Sequence, residues 1–201
     1  MALINRTIRW LSVLSMGAVL TAAFVPAAQA ASAQEIDIKV DAALKRFRDD
    51  VDGAGEFLKV AKGVLVFPSV IKAGIGIGGE YGEGALRIGG ATVDYYNTVA
   101  GSIGFQLGAQ AKTVIIIFME QKALENFRSS KGWEAGVDGS VALVELGAGE
   151  SLDTTNIRDP IVGFVFGNKG LMFNLTLEGS KFTRLDKSKG NGGDKQDTEA
   201  Q

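Results

Sequence analysis

Residues Val70 to Gly84 read Val-Ile-Lys-Ala-Gly-Ile-Gly-Ile-Gly-Gly-Glu-Tyr-Gly-Glu-Gly, and Gly74, Gly76 and Gly79 satisfy the dinucleotide pattern G-x-G-x-x-G. The chemistry of that pattern is phosphate binding. It needs a strand, a tight glycine turn and then a helix whose first amides face the pyrophosphate. Here Glu80, Tyr81, Gly82, Glu83 and Gly84 follow, putting two glycines where a helix should start and two carboxylates where the phosphate should sit. Alternation accounts for the run better. Ile71, Ala73, Ile75, Ile77, Gly79 and Tyr81 share one face of an extended strand, and Lys72, Gly74, Gly76, Gly78, Glu80 and Gly82 share the other. No nucleotide is expected. A nearly bare glycine face instead admits a second backbone at close range or a sharp bend of the sheet.

Other reactive groups are few. The chain has no cysteine and no histidine, which removes thiolate nucleophiles, imidazole bases, Ser-His-Asp triads and the usual zinc ligands. Glu80, Glu83 and Tyr81 are the carboxylates and hydroxyl that acid chemistry would use, and ordinary edge or turn residues are the competing reading. No enzyme activity, cofactor or metal is expected. Five cations are candidates for an anionic ligand: Lys45, Arg46 and Arg48 in one cluster, and Lys62 and Lys72 on either side of Pro68. Lys112 is a weaker sixth. The plainer reading of the first cluster is a solvated helix face. Lys62 and Lys72 could equally be structural, with the stem of Lys72 lying across the glycine surface. Trp133 and Phe127 suit either a lipid interface or the core.

The first thirty residues have the form of a cleavable secretory signal, with Arg6 and Arg9, an apolar run from Trp10 to Val25, and Ala28-Gln29-Ala30 as an A-x-A cleavage site. A retained membrane anchor is the alternative, although Ser12, Ser15 and Thr21 interrupt a run already short for a span. The expected location is periplasmic or secreted. Removal of residues 1–30 leaves 171 residues, enough for one domain that buries roughly 70% of its unfolded surface. Loss of Arg6 and Arg9 changes the net charge from −2 to −4, so a nucleic-acid partner is not expected. Without cysteine, packing alone must hold an exported fold.

The elements that must position these residues follow from period. A helix is predicted over Glu35–Val51, because Ile36, Val40, Ala43, Leu44, Phe47 and Val51 form one stripe. A second is predicted over Ala54–Ala61 between Gly53 and Gly63. Strands are predicted over Val64–Phe67, Val70–Tyr81 and Ala85–Ile88, with Pro68 excluded from the middle of a central strand. Gly89-Gly90 makes a hairpin to Ala91–Tyr96. Further strands are predicted over Ser102–Ala109 and over Thr113–Met119, the latter covered on both faces. A helix over Glu120–Arg128 stopping at Gly132, a weak strand over Ala135–Val144, a loop over Leu146–Asp159 and a hairpin Pro160–Gly167/Gly170–Leu177 complete the domain. Residues 31–185 thus form one α+β unit, with a mainly antiparallel curved sheet or barrel-like core of seven to nine strands, N-terminal helices and one mid-chain helix. Asp186–Gln201 is polar and predicted to be a disordered tail.

The run Ala61-Lys62-Gly63-Val64-Leu65-Val66-Phe67-Pro68-Ser69-Val70-Ile71-Lys72-Ala73-Gly74, with the glycine strand after it, resembles the opening of the SYLF domain. Gly101–Gln110, Val114–Met119, Lys122–Phe127 and Asn168–Ser180 are similar to later parts of the same family. The resemblance implies lipid binding: eukaryotic members bind phosphoinositides and anionic membranes, a yeast branch binds actin, and exported bacterial members are described as lipid-binding. In the eukaryotic members a basic amphipathic N-terminal helix contacts the membrane. This chain departs there, because Glu35, Asp37, Asp41, Asp49, Asp50 and Asp52 outnumber Lys39, Lys45, Arg46 and Arg48. The expected partner is a phospholipid or membrane surface. A homo-oligomer, self-associating through the glycine-rich sheet, is the alternative.

Overall fold

The computed structural model describes residues 31–104, 110–144, 158–167, 170–171 and 177–187. The predicted signal segment, and all of the predicted tail beyond Lys187, lie outside the described residues.

Helix α1 spans Ala33–Asp50 and buries Ile36, Val40 and Phe47 of its predicted stripe. Ser32 starts it by accepting the Glu35 N–H at 3.1 Å, which satisfies one of the amides that a helix start leaves unpaired. Helix α2, Ala54–Val60, follows Gly53, whose φ of 85° turns the chain between the two helices. The strands are β1 Gly63–Ile88, β2 Ala91–Gly104, β3 Gln110–Phe118, β4 Trp133–Glu134, β5 Ala142–Leu143, β6 Ile161–Gly167, β7 Gly170–Leu171 and β8 Lys181–Leu185, and helix α3 spans Gln121–Ser129. They form one curled sheet in the order β4-β8-β2-β1-β3-β6-β5, with β7 also on β6. Every pair is antiparallel except β5 with β6. The α+β class and the mainly antiparallel curved sheet agree with the sequence reading.

The largest departure is β1. Three expected strands are one strand of 26 residues. At ~3.3 Å per residue it would run about 85 Å if straight, so it must curl. It does so by sharing itself between neighbours: residues 63–72 pair with β3 and residues 76–88 pair with β2. Pro68 sits inside this central strand, contrary to expectation. The β1–β3 register shifts between Phe67 and Val70, so no ladder donor is needed at Pro68, and its carbonyl accepts from Thr113 Oγ1 at 2.9 Å. Gly82 and Gly84 then meet the start of their own strand. A Cβ on Gly82 would lie 2.8 Å from the Ser69 carbonyl oxygen, and one on Gly84 would collide with the Val66 carbonyl oxygen.

The Gly89-Gly90 hairpin forms with φ of 57° and 86°, the left-handed pair a two-residue turn requires. Strand β2 continues past Tyr96 through the start of the second glycine segment, of which Phe105–Ala109 lie outside the described residues. The weak strand expected over Ala135–Val144 is instead split. Val137 and Asp138 donate to the Glu134 carbonyl and Gly136 has φ of 87°, so a tight turn separates β4 from β5. Strand β8 was not expected, and it joins β2 to β4. The predicted loop Leu146–Asp159 and the far arm of the last hairpin fall mostly outside the described residues.

Two apolar layers flank β1, β3 and β6. Leu65, Phe67, Val114, Ile116, Phe118 and Val165 face the inside of the curl with α3, β2 and β8. Val64, Val66, Ile115, Ile117, Val162, Phe164 and Phe166 face α1 and α2. Strand β3 is therefore covered on both sides, as its unbroken β-branched run implies. Phe127 and Trp133 resolve to the core. Phe127 packs against Tyr96, Phe118, Trp133 and Phe182 with ring centroids 4.9 to 6.3 Å apart.

Because the neighbour at Gly84 is backbone, it cannot rotate away. Gly84→Ala should cost about 3 kcal/mol or more, whereas Gly101→Ala, which meets nothing within 4 Å, should stay within about 0.5 kcal/mol. Urea unfolding of both variants measures the difference.

Candidate functional site

The curl of β1 brings its two ends to one place. Gly63 and Val64 at its start, and Arg87 with the turn glycines Gly89 and Gly90 at its end, line a cleft of about 490 Å³. Leu44 and Arg48 of α1, Gly55, Leu58 and Lys59 of α2, and Ala61 complete it. The volume lies within the range of small-ligand sites. Leu44, Leu58, Ala61 and Val64 supply apolar surface, while Gly55, Gly89 and Gly90 add no side chains and leave it open. Arg48, Lys59 and Arg87 supply charge.

These three cations differ in how far they are already neutralised. Lys59 Nζ lies 2.6 Å from Glu56 Oε1, an exposed pair of little energetic weight. Arg87 is half-buried, and its Nη2 lies 2.8 Å from Asp41 Oδ1 and 3.4 Å from Asp37 Oδ1. Its Nη1 donates to the Gly90 carbonyl at 3.2 Å. The Arg87 Nε is buried with no acceptor among the described residues, and a buried donor left unmade costs on the order of 1–3 kcal/mol. Arg48 is exposed and has no ion-pair partner among the described residues. The cleft thus offers one unpaired cation beside an apolar surface. An anionic amphiphile is the ligand class that uses both.

Of the five cations singled out in the sequence, the structure brings Arg48 to this cleft. Lys45 pairs with Asp49 at 2.5 Å and Arg46 with Asp50 at 3.0 Å, each one helical turn on. Arg46 also donates to the Gly167 carbonyl at 2.8 Å and lies over the Phe166 ring, so it ties α1 to β6. Lys62 is exposed between two cleft residues, and its backbone N–H donates to Phe118. Lys72 is half-buried on β1 opposite Gln110. Lys112, the weaker candidate, pairs with Glu80 at 2.7 Å, with both side chains mostly buried. Lys59 and Arg87 were not among the candidates. Arg87 sits in an alternating strand where nothing local marks it, and only the return of β1 places it beside α1.

The carboxylates do not form a catalytic pair. Glu80 and Glu83 lie three residues apart on one strand, hence on opposite faces. Glu80 is taken by Lys112, and Glu83 by Lys187 at 2.9 Å and by the Tyr81 hydroxyl at 2.8 Å. Partial burial, followed by the hydrogen bond to Glu83 and its charge, pushes the Tyr81 hydroxyl up to about 12. Tyr95 is raised by burial and by its bond to Asp37, and Tyr96 by burial and the charge of Asp94. Among the described residues no helix is long and apolar enough to cross a membrane.

Residues 99–190 match the family model Ysc84, described as Las17-binding protein actin regulator. The matched segment runs from the end of β2 through β3, α3 and β8. No curated protein matches the chain.

All three tyrosines are held neutral more strongly in the fold than in the unfolded chain, where they ionise near 10. The tyrosine contribution to stability should therefore be constant below about pH 10 and be lost as pH rises from about 10 to 12, because only the unfolded chain has then lost its tyrosine protons. Ultraviolet titration of the folded protein should show tyrosinate appearing late, and Tyr81→Phe should delete the component near 12.

Proposed function

We propose that this chain, whose residues 99–190 match the Ysc84 family model and whose sequence resembles the SYLF domain, is a non-catalytic lipid-binding protein of the bacterial cell envelope, which engages the anionic headgroup of a phospholipid or membrane surface. The observation that carries this reading is the cleft, where Arg48, without an ion-pair partner among the described residues, borders Leu44, Leu58, Ala61 and Val64. Arg48 would sit against the anionic headgroup. The apolar side chains would take the first part of an acyl chain. The family description names actin regulation, but the predicted export favours lipid as the partner. Absence of histidine and cysteine, together with the separate neutralisation of Glu80 and Glu83, supports a binding role without catalysis.

A second reading, self-association through the glycine-rich sheet, is favoured by one observation. Tyr81 and Val99 face each other across the β1–β2 ladder and are both about half exposed. Light scattering of lipid-free protein over a range of concentrations separates the two readings, since only the second requires an oligomer.

Sedimentation with vesicles tests the first. Protein should pellet with anionic vesicles at low salt and remain soluble with neutral ones. Each cation near an anionic surface contributes about 1 kcal/mol, so Arg48→Glu should weaken binding about tenfold or more, while Lys122→Glu on α3 should not. Failure to pellet with any vesicle removes the lipid reading; equal weakening by both variants removes the cleft.

A further inference from the structure

Glu83 is nine-tenths buried on β1 and holds the nearby Tyr81 together with two groups from distant parts of the chain. Its Oε1 accepts from Tyr81 at 2.8 Å, and its Oε2 accepts from Lys187 Nζ at 2.9 Å and from the Ala31 backbone N–H at 3.1 Å. Lys187 Nζ also donates to the Ala31 carbonyl at 2.8 Å. Ala31 itself packs against the apolar layer between α1 and the sheet, and Ser32 beside it caps α1. Ala31 is thus a fixed point of the fold, and its nitrogen points at a buried carboxylate. The residues before it are Ala28-Gln29-Ala30, with small side chains at the two positions that a signal-removing peptidase reads.

We propose that the bond between Ala30 and Ala31 is a processing site, and that the amine it releases is an ion-pair partner of Glu83 in the mature protein. In the cleavage, water adds its oxygen to the Ala30 carbonyl carbon as the C–N bond breaks. Ala30 leaves as a carboxylate, and the Ala31 nitrogen takes the protons to become an ammonium. A neutral amide donor at 3.1 Å becomes a charged one with the same acceptor, and charge-assisted hydrogen bonds are roughly twice as strong. The position demands such a partner. An ammonium two residues before the start of α1 meets the positive end of the helix dipole, and Glu83 supplies the compensating charge. Lys187 is the competing cation on the same oxygen, so the mature protein holds its N-terminal residue and its residue 187 on one carboxylate.

The test uses full-length chain expressed in a bacterium and purified after export. Intact mass should give a chain beginning at Ala31. At about pH 6.5 the α-amine is far more reactive than lysine toward an acylating reagent, because lysines stay protonated up to ~10.4 and the α-amine only to ~8. In folded protein this acylation should be about tenfold slower than in Glu83→Gln. Acetylating the amine should lower the melting temperature by several degrees in the parent protein and leave Glu83→Gln unchanged, a coupling read as a double cycle. Should Glu83→Gln not fold, Lys187→Ala serves: with its competitor gone, the amine should lose more on acetylation than in the parent. A mature chain beginning elsewhere, equal acylation rates, equal melting shifts in parent and Glu83→Gln, or no greater loss in Lys187→Ala would each overturn the proposal.

Discussion

The close approach of Gly82 and Gly84 to Ser69 and Val66 is the constraint on which the rest of the sheet depends. The 26-residue strand serves β3 with its first part and β2 with its last, and between them it turns back over itself. Side chains at the crossing would hold the two halves apart, and at Gly84 the obstacle is a carbonyl oxygen that no rotamer change can move. Removing Cβ at these two positions lets one backbone lie against the other. The same return brings Gly63 and Arg87 to the two walls of one cleft, so the candidate site is a by-product of the crossing.

Around that crossing, strands β1, β3 and β6 divide two apolar layers. The inner layer is dominated by aromatic contacts centred on Phe127, and the outer by Phe47 and Phe57 of the helices against Phe164. Neither layer has a disulfide to assist it, since the chain has no cysteine. A sheet covered on both faces by interlocking rings meets that need through burial alone.

Charge is distributed by the same geometry. On α1 the pairs Glu35–Lys39, Lys45–Asp49 and Arg46–Asp50 lie one turn apart and neutralise one another. Inside the fold, Glu80 and Glu83 each hold a lysine from elsewhere in the chain. Arg48, at the cleft, has no ion-pair partner among the described residues. A chain with a net negative charge can therefore still present a cationic side chain at the cleft.

Helix α1, the Gly89-Gly90 turn, the two-sided cover of β3 and the α+β class were legible in the sequence, because period and turn chemistry are local properties. So was the idea that the glycine face admits a backbone. The identity of that backbone was not. Nothing in Val64–Ile88 tells a reader that Pro68 falls at a register shift and interrupts nothing, or that Gly84 faces Val66 of the same strand. Strand β8 and the split of Ala135–Val144 escaped for a similar reason, being short segments defined by their partners and not by their own pattern. Among the cations, composition and helical spacing fixed that α1 carries Lys45, Arg46 and Arg48; only tertiary structure distinguished the two that pair along the helix from the one beside the cleft, and only the return of β1 added Arg87. Local sequence determines what a segment prefers to be, whereas long-range closure of the sheet decides which side chains end up as neighbours.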